Sequence, residues 1–424
     1  MYWSPPVEGG RRPSGDSQVA YRRMKTLPSP ALLLLLLAGL TAMTPLAIDA
    51  YLPAIPTIAG AFGASVHDVE LTISIYLAGY ATGQLVGGPF SDHFGRRCGI
   101  FTGLALFIAG TVGIILSTSI EMLWLFRVIQ ALGGGISVVN PGAIIRDIAQ
   151  GAQSARYFAH MGLIMLMAPL VAPLLGVTIL GFAGWQAIFI FLLAYAVAIG
   201  AALYRVVPET RLVPEKKIAT LRRYFMVLGN RYAMGYLLST SCASGALFAF
   251  ITASPSVYMG YFGVSETFYP FLFGANVLTL ILLNRINVFL IRYQPVSRLI
   301  SLGQCLQVLG GLTLFLHCWL SDQPILLVVV ALVMMTLGAQ SLIMSNSNAS
   351  AIEFFPTNSG TAAALLGASG FIVGAFTGFL VALTSDGTPL AMASVMFGSA
   401  LTGPVLRFVL QRKEPIPVER DSLS

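Results

Sequence analysis

Apolar residues in this chain neither alternate nor recur along a single helical stripe. They run almost unbroken for about twenty positions, stop at a few polar or glycine-rich residues, and run again. A bilayer core about 30 Å thick takes roughly 20 residues at a helical rise of about 1.5 Å. Twelve such runs fit: 31–59, 68–89, 98–117, 121–144, 157–181, 184–206, 233–259, 267–290, 299–319, 324–349, 358–383 and 388–410. They exceed the roughly 10 alternating residues of a barrel strand, so helices are expected. The longest polar interruption, roughly Arg205 to Arg231, follows the sixth run. The expected fold class is an all-α membrane protein, with twelve transmembrane helices in two six-helix bundles and a cavity between them. The bundles occupy 31–206 and 233–410, joined by a cytoplasmic connection over 207–232, with tails at 1–30 and 411–424.

Composition agrees, since 56% of the 424 residues are hydrophobic and only 10% are charged. A net charge of +7 raises the question of nucleic acid, and the positions of the charges answer it. Arg96, Arg97, Arg146, Arg156, Arg205, Arg211, Lys216, Lys217, Arg222, Arg223, Arg292 and Arg298 all fall in or beside loops on the side of the termini. Asp68, Glu70, Glu121, Glu266, Asp322 and Asp386 are assigned to the other side. This positive-inside pattern predicts cytoplasmic termini and reads the basic excess as topology and lipid contact. Residues 1–30, rich in Pro, Gly, Ser and Arg, are expected to be disordered. Met24 opens an apolar run like a secretory signal, but that run continues into the first span, and Met24 is an alternative start.

Chemistry-bearing residues are few. Asp49 is the acidic residue placed deep in a span, and Arg127 is the deep cation; the helical rise puts them about 15 Å and about 9 Å from the outer surface. A carboxylate in hydrocarbon needs a partner or a function, so two readings stand: a structural ion pair with Arg127, or a proton-coupling group. Gln130, Asn140, Asn276, Gln340 and Asn346 offer hydrogen bonds to a substrate or between helices. Tyr76, Tyr80, Phe248, Phe250 and Phe371 are candidate aromatic lining or packing residues. Cys98, Cys242, Cys305 and Cys318 stand singly and read as packing, and the scattered histidines predict no metal site. No phosphate loop and no catalytic constellation appears, so neither ATP, another cofactor nor enzyme chemistry is expected.

Between the second and third spans stands Gly88-Pro89-Phe90-Ser91-Asp92-His93-Phe94-Gly95-Arg96-Arg97. It resembles the cytoplasmic signature of the major facilitator superfamily, with Phe90 and His93 replacing the usual Leu and Arg. Arg127-Val128-Ile129-Gln130-Ala131-Leu132-Gly133 resembles that family's fourth-span motif, with Ala131 for a glycine. Pro169, Pro173 and Gly176 in Ala168–Gly176 resemble its antiporter motif. With Asp49-Ala50-Tyr51-Leu52-Pro53 and Pro208-Glu209-Thr210, the chain resembles the bicyclomycin/chloramphenicol-resistance (Bcr/CflA) type of drug:proton antiporter. The resemblance implies the major facilitator fold, small hydrophobic drugs and protons as partners, a bacterial plasma membrane and a functional monomer. It implies that Gly88, Asp92, Gly95, Arg96 and Arg97 form a conformational latch bracing helices across the two-bundle interface, with Asp147 as an arginine's partner. A proton-linked uptake permease for a small metabolite is the alternative. Relatives sometimes carry a further acid early in the first span, where Thr41 and its neighbours here are neutral.

Overall fold

The computed structural model describes residues 30–149, 151–210, 220–355 and 359–412. Apart from Pro30, Gln411 and Arg412, the expected tails lie outside the described residues, as do Arg211, Lys216 and Lys217.

Every regular element among the described residues is helical. The first half comprises α1 (Pro30–Asp49), a 3₁₀ turn (Leu52–Ala54), α2 (Ile55–Phe62), α3 (Val66–Phe94), α4 (Arg96–Ile115), α5 (Ile120–Ile148), α6 (Gly151–Ala183) and α7 (Trp185–Val206). A short α8 (Thr220–Gly229) leads into the second half. That half holds α9 (Arg231–Ser254) with a π-helical segment (Pro255–Tyr261), then α10 (Tyr269–Leu290), α11 (Val296–Leu320), α12 (Leu326–Glu353), α13 (Ser359–Thr384) and α14 (Pro389–Gln411). Eleven helical stretches are long and apolar enough to cross a membrane, α1 through α2 counting as one. The further long helix, α3, has 29 residues and carries the glycines and hydroxyls that suit a helix packed on several sides.

The order of packing explains the two halves. In the first, α5 packs on α3 and α4, and α1 packs on α6 and α7. In the second, α9 packs on α13 and α14, and α12 on α10 and α11. The two largest seams between them are α3 against α13 and α6 against α10; α3 also meets α9, and α2 meets the π-helical segment. Large apolar side chains face outward, Phe182, Leu282, Phe376 and Leu383 among them, as a hydrocarbon solvent allows.

Three local features differ from expectation. The run 31–59 is not one helix: Pro53 and Pro56 bring no backbone N–H, and the ladder breaks just after Asp49. The segment around Gly88–Arg97, expected as a loop, is nearly all helix. Here α3 continues to Phe94 and α4 starts at Arg96, with Gly95 alone making the turn at φ +99°. The third is α8, an amphipathic helix in the central connection, with Phe225 and Met226 exposed.

Candidate functional site

Between the halves lies a cavity of about 1160 Å³, large enough for a drug-sized molecule. Its blind end is bordered by Thr41, Thr44 and Asp49 of α1, and its other end reaches Asp92, Arg96, Arg146 and Asp147 at the face where α1 begins and α14 ends. Tyr80, Phe248 and Phe371 form an aromatic wall drawn from both halves. The Tyr80 and Phe371 rings meet edge-on at 4.6 Å between centroids, and Phe248 and Phe371 lie 5.3 Å apart. Five buried polar atoms on residues bordering this cavity have no hydrogen-bond partner within the protein: Thr44 Oγ1, Asp49 Oδ1, Thr240 Oγ1, Gln340 Oε1 and Asn348 Oδ1. Buried polar groups are ordinarily paired, so their convergence on one space marks a place for water or a ligand.

Asp49 is the last residue of α1 and is 4% exposed. The break that follows it is held from the side by α6. A Cβ at Gly176 would overlap the carbonyl oxygen of Ala50, so only glycine lets α6 approach the backbone next to Asp49. Pro169 borders the cavity on the same helix, whereas Pro173 does not. The antiporter-like motif and the carboxylate therefore meet, although they are more than a hundred residues apart in sequence.

Arg127 is wholly buried on α5, and its surroundings are not those expected. Among the described residues no ion pair joins it to Asp49. The guanidinium donates to the Ala47 carbonyl at 3.1 Å and to Gln130 Oε1 at 2.9 Å. Gln130 in turn donates to Thr111 Oγ1 at 2.8 Å. The rings of Tyr51, Tyr76 and Phe189 surround the guanidinium carbon at 4.4, 4.6 and 5.9 Å. Aromatic faces and a carbonyl thus stand where a carboxylate was expected, because the break after α1 turns Tyr51 toward α5.

At the terminal face Arg96 donates to Asp92 Oδ1 at 2.7 Å and to Asp147 Oδ2 at 3.1 Å. Glu209, beyond α7, accepts the backbone N–H groups of Arg96 and Arg97 at 2.8 and 3.0 Å, capping α4. The turn requires glycine for its φ, and a Cβ at Gly95 would also push that carboxylate aside. Thr210 donates to Asp147 at 2.9 Å, and Arg97 donates to the Val207 and Tyr204 carbonyls. These bonds brace α3, α4, α5 and the residues just after α7 to one another.

The remaining candidates divide. Tyr80, Phe248, Gln340 and Phe371 border the cavity, as do Gly88, Asp92, Arg96 and Asp147. Tyr76, Gln130, Asn140, Phe250, Asn276 and Asn346 do not border it and are buried among helices. Asn140 binds Ser91 and the α5 backbone, Asn276 the Leu272 carbonyl, and Asn346 the Asn287 side chain. Sequence reasoning missed Thr240, a hydroxyl indistinguishable there from a helix-packing one. It also missed Glu70, assigned to an outward loop but buried in α3.

Comparison with known proteins agrees with this architecture. Residues 37–379 match the Major Facilitator Superfamily model. A bicyclomycin resistance protein homolog of Haemophilus influenzae is 31% identical over 394 residues, covering 91% of this chain and 97% of the relative. A chloramphenicol resistance protein of Pseudomonas aeruginosa is 32% identical over 257 residues, 60% of each chain. A solved structure of a peptide transporter, POT, superposes with a TM-score of 0.73 at 14% identity, covering 92% of this chain and 97% of that one. The chain belongs to the Major Facilitator Superfamily and is an integral membrane transporter, not an enzyme.

Proposed function

We propose that this transporter exports small hydrophobic, drug-like molecules in exchange for protons, by alternating access, and that Asp49 exchanges the proton. The carrying observation is the position of Asp49: it borders the blind end of the cavity, and its buried Oδ1 has no partner in the protein. Protonation removes the charge of the one acidic group at that end, so the same space presents two different surfaces in the two states. The aromatic wall takes the apolar body of the substrate, and Gln340, Asn348 and Thr240 supply its hydrogen bonds. The names of the drug-resistance relatives support the substrate class.

In this reading Arg127 acts through the backbone. It holds the Ala47 carbonyl two residues before Asp49, fixing where α1 ends. Asp92, Arg96, Asp147 and Glu209 keep the terminal ends of α3, α4, α5 and α7 together while the halves rock about the α3–α13 and α6–α10 seams. The halves correspond to 31–206 and 233–410, with 207–232 as their link. Both termini face the cytoplasm of a bacterial cell, by the positive-inside pattern, and one chain is the working unit.

The test is transport in everted vesicles with a panel of hydrophobic drugs, following drug and proton movement together. Drug accumulation that dissipates an imposed proton gradient is expected, and it should be lost in Asp49→Asn. Proton flux that accompanies a small metabolite but no drug, in the uptake direction, would replace export with the permease reading.

A further inference from the structure

Glu70 is fully buried, one turn inside α3 and about 6 Å from its start. Its Oε1 accepts the backbone N–H of Ser256 at 3.1 Å, and its Oε2 lies 3.1 Å from His67 Nδ1. Ser256 belongs to the second half, so this carboxylate joins the halves at the face opposite the cavity mouth. The donor is available where the regular ladder of α9 is interrupted, at Pro255 and the π-helical segment it opens. Nearer the surface of the same face, Thr57 of α2 approaches Glu266 of the second half at 3.5 Å. The His67 side chain is 32% exposed, leaving it in contact with the solution on that side.

We infer that Glu70 is the latch of the outer gate, holding α3 against the broken helix of the second half while the cavity faces the cytoplasm, and that proton uptake by His67 from outside tightens it. The inference rests on the alternating-access reading above. Opening the outer face must draw Ser256 away from α3. Glu70 then exchanges an N–H donor held in fixed geometry for mobile water, and the loss of that charge-assisted bond opposes opening. Protonated His67 supplies a charged donor to Glu70. The other charged groups felt by His67 are Asp68 on the same helix and Asp386 before α14, both acidic. Around Glu70 itself stand Tyr51 after α1 and Tyr269 of α10, with Arg127 of α5 beyond Tyr51.

The sign follows from linkage. The closed outer face gives His67 its acidic partner in fixed geometry, so the closed state holds the imidazole proton more tightly than the open state does. Outer closure is then favoured on the acid side of the histidine range, about pH 6.5, and fades as the pH rises through it. An acidic exterior would in this way drive the return to the cytoplasm-facing state, in addition to loading Asp49.

The test is pulsed electron spin resonance on the full chain in lipid nanodiscs. Cys98, Cys242, Cys305 and Cys318 are replaced, and spin labels are placed at the exposed Ala61 and Thr267 on either side of the gate. At about pH 6 the unmodified latch should show mainly the short distance, and at about pH 8 a larger share of the long one. Glu70→Gln keeps the shape and an acceptor oxygen but loses the charge. It should raise the long-to-short ratio about tenfold at about pH 6 and flatten the pH response. His67→Gln should flatten the response while keeping the ratio seen at about pH 8. Glu70→Asp, which keeps the charge but shortens the reach, serves as the second variant if the glutamine protein does not elute as a single species. Ratios in Glu70→Gln and Glu70→Asp equal to the parent's at both pH values overturn the latch alone. A parent that transports while showing one distance under all conditions overturns alternating access and the latch with it.

Discussion

The two halves share a helical plan but differ in what they bury. Among the described residues, the charged side chains buried in the first half are Asp49, Glu70, Arg96 and Arg127, whereas the buried polar side chains of the second half are neutral amides and hydroxyls such as Gln304, Gln307, Gln340, Asn276 and Thr240. A buried charge responds strongly to proton binding and to a change of water access, because its solvation is at stake. A neutral amide presents the same donors and acceptors at every working pH. In the proposed function the difference separates two tasks: the first half senses the proton, and the second supplies hydrogen bonds that do not depend on it.

Variants in each half can break that division. The largest effect is expected from Asp49→Asn, which should insert normally yet lose proton-driven drug efflux by about 100-fold, with residual drug binding flat in pH. Efflux at the parent's rate from a well-expressed Asp49→Asn protein would end the coupling role. Arg127→Lys should lower efflux by about 30-fold, since an ammonium cannot reach Gln130 and the Ala47 carbonyl from a planar fork or stack among three rings. Comparing its drug affinity with its rate tests the positioning role: the rate should fall more than the affinity.

Asp92→Asn should slow turnover by about tenfold with drug affinity nearly unchanged, because it loosens Arg96 at the terminal end of the cavity and leaves the aromatic wall intact. A large loss of affinity at normal turnover would count against that brace. The smallest effect belongs to the second half. Gln340→Ala should weaken drug binding about fivefold, on the order of 1 kcal/mol, while leaving the pH dependence of transport intact. If it instead shifts that dependence as Asp49→Asn does, the proposed separation of tasks fails.

Much of this architecture was legible in the sequence, because continuous apolar runs and charge asymmetry are local signals. The antiporter-like motif was legible as a pattern, but its contact with Ala50 depends on how α6 crosses α1, which no spacing encodes. The ion pair of Asp49 with Arg127, one of the two readings left open, is not formed, for a related reason. Depth along two helices brings Arg127 to the Ala47 carbonyl, two residues before Asp49, but the facing direction of each side chain is not encoded in depth. The proline-induced break then rotated Tyr51 into the position where a carboxylate was expected. Glu70 was assigned to a loop by its nearness to a helix start, and only the fold reveals that Ser256 covers it. Asn140 and Asn346, for which substrate binding and helix packing both stood open, tie helices together, as polar residues within spans readily do.

The single carboxylate at the blind end of the cavity has an electrical consequence. If Asp49 is the only group that carries a proton across, each cycle admits one unit of positive charge. Expelling an uncharged drug is then electrogenic and gains about 2.3 kcal/mol from each 100 mV of membrane potential, inside negative. Expelling a monovalent cation exchanges charge for charge, and the voltage does no net work. The same transporter would therefore concentrate neutral compounds outside more steeply than cationic ones when the pH gradient is small and the voltage large, and a voltage-collapsing ionophore would erase that preference.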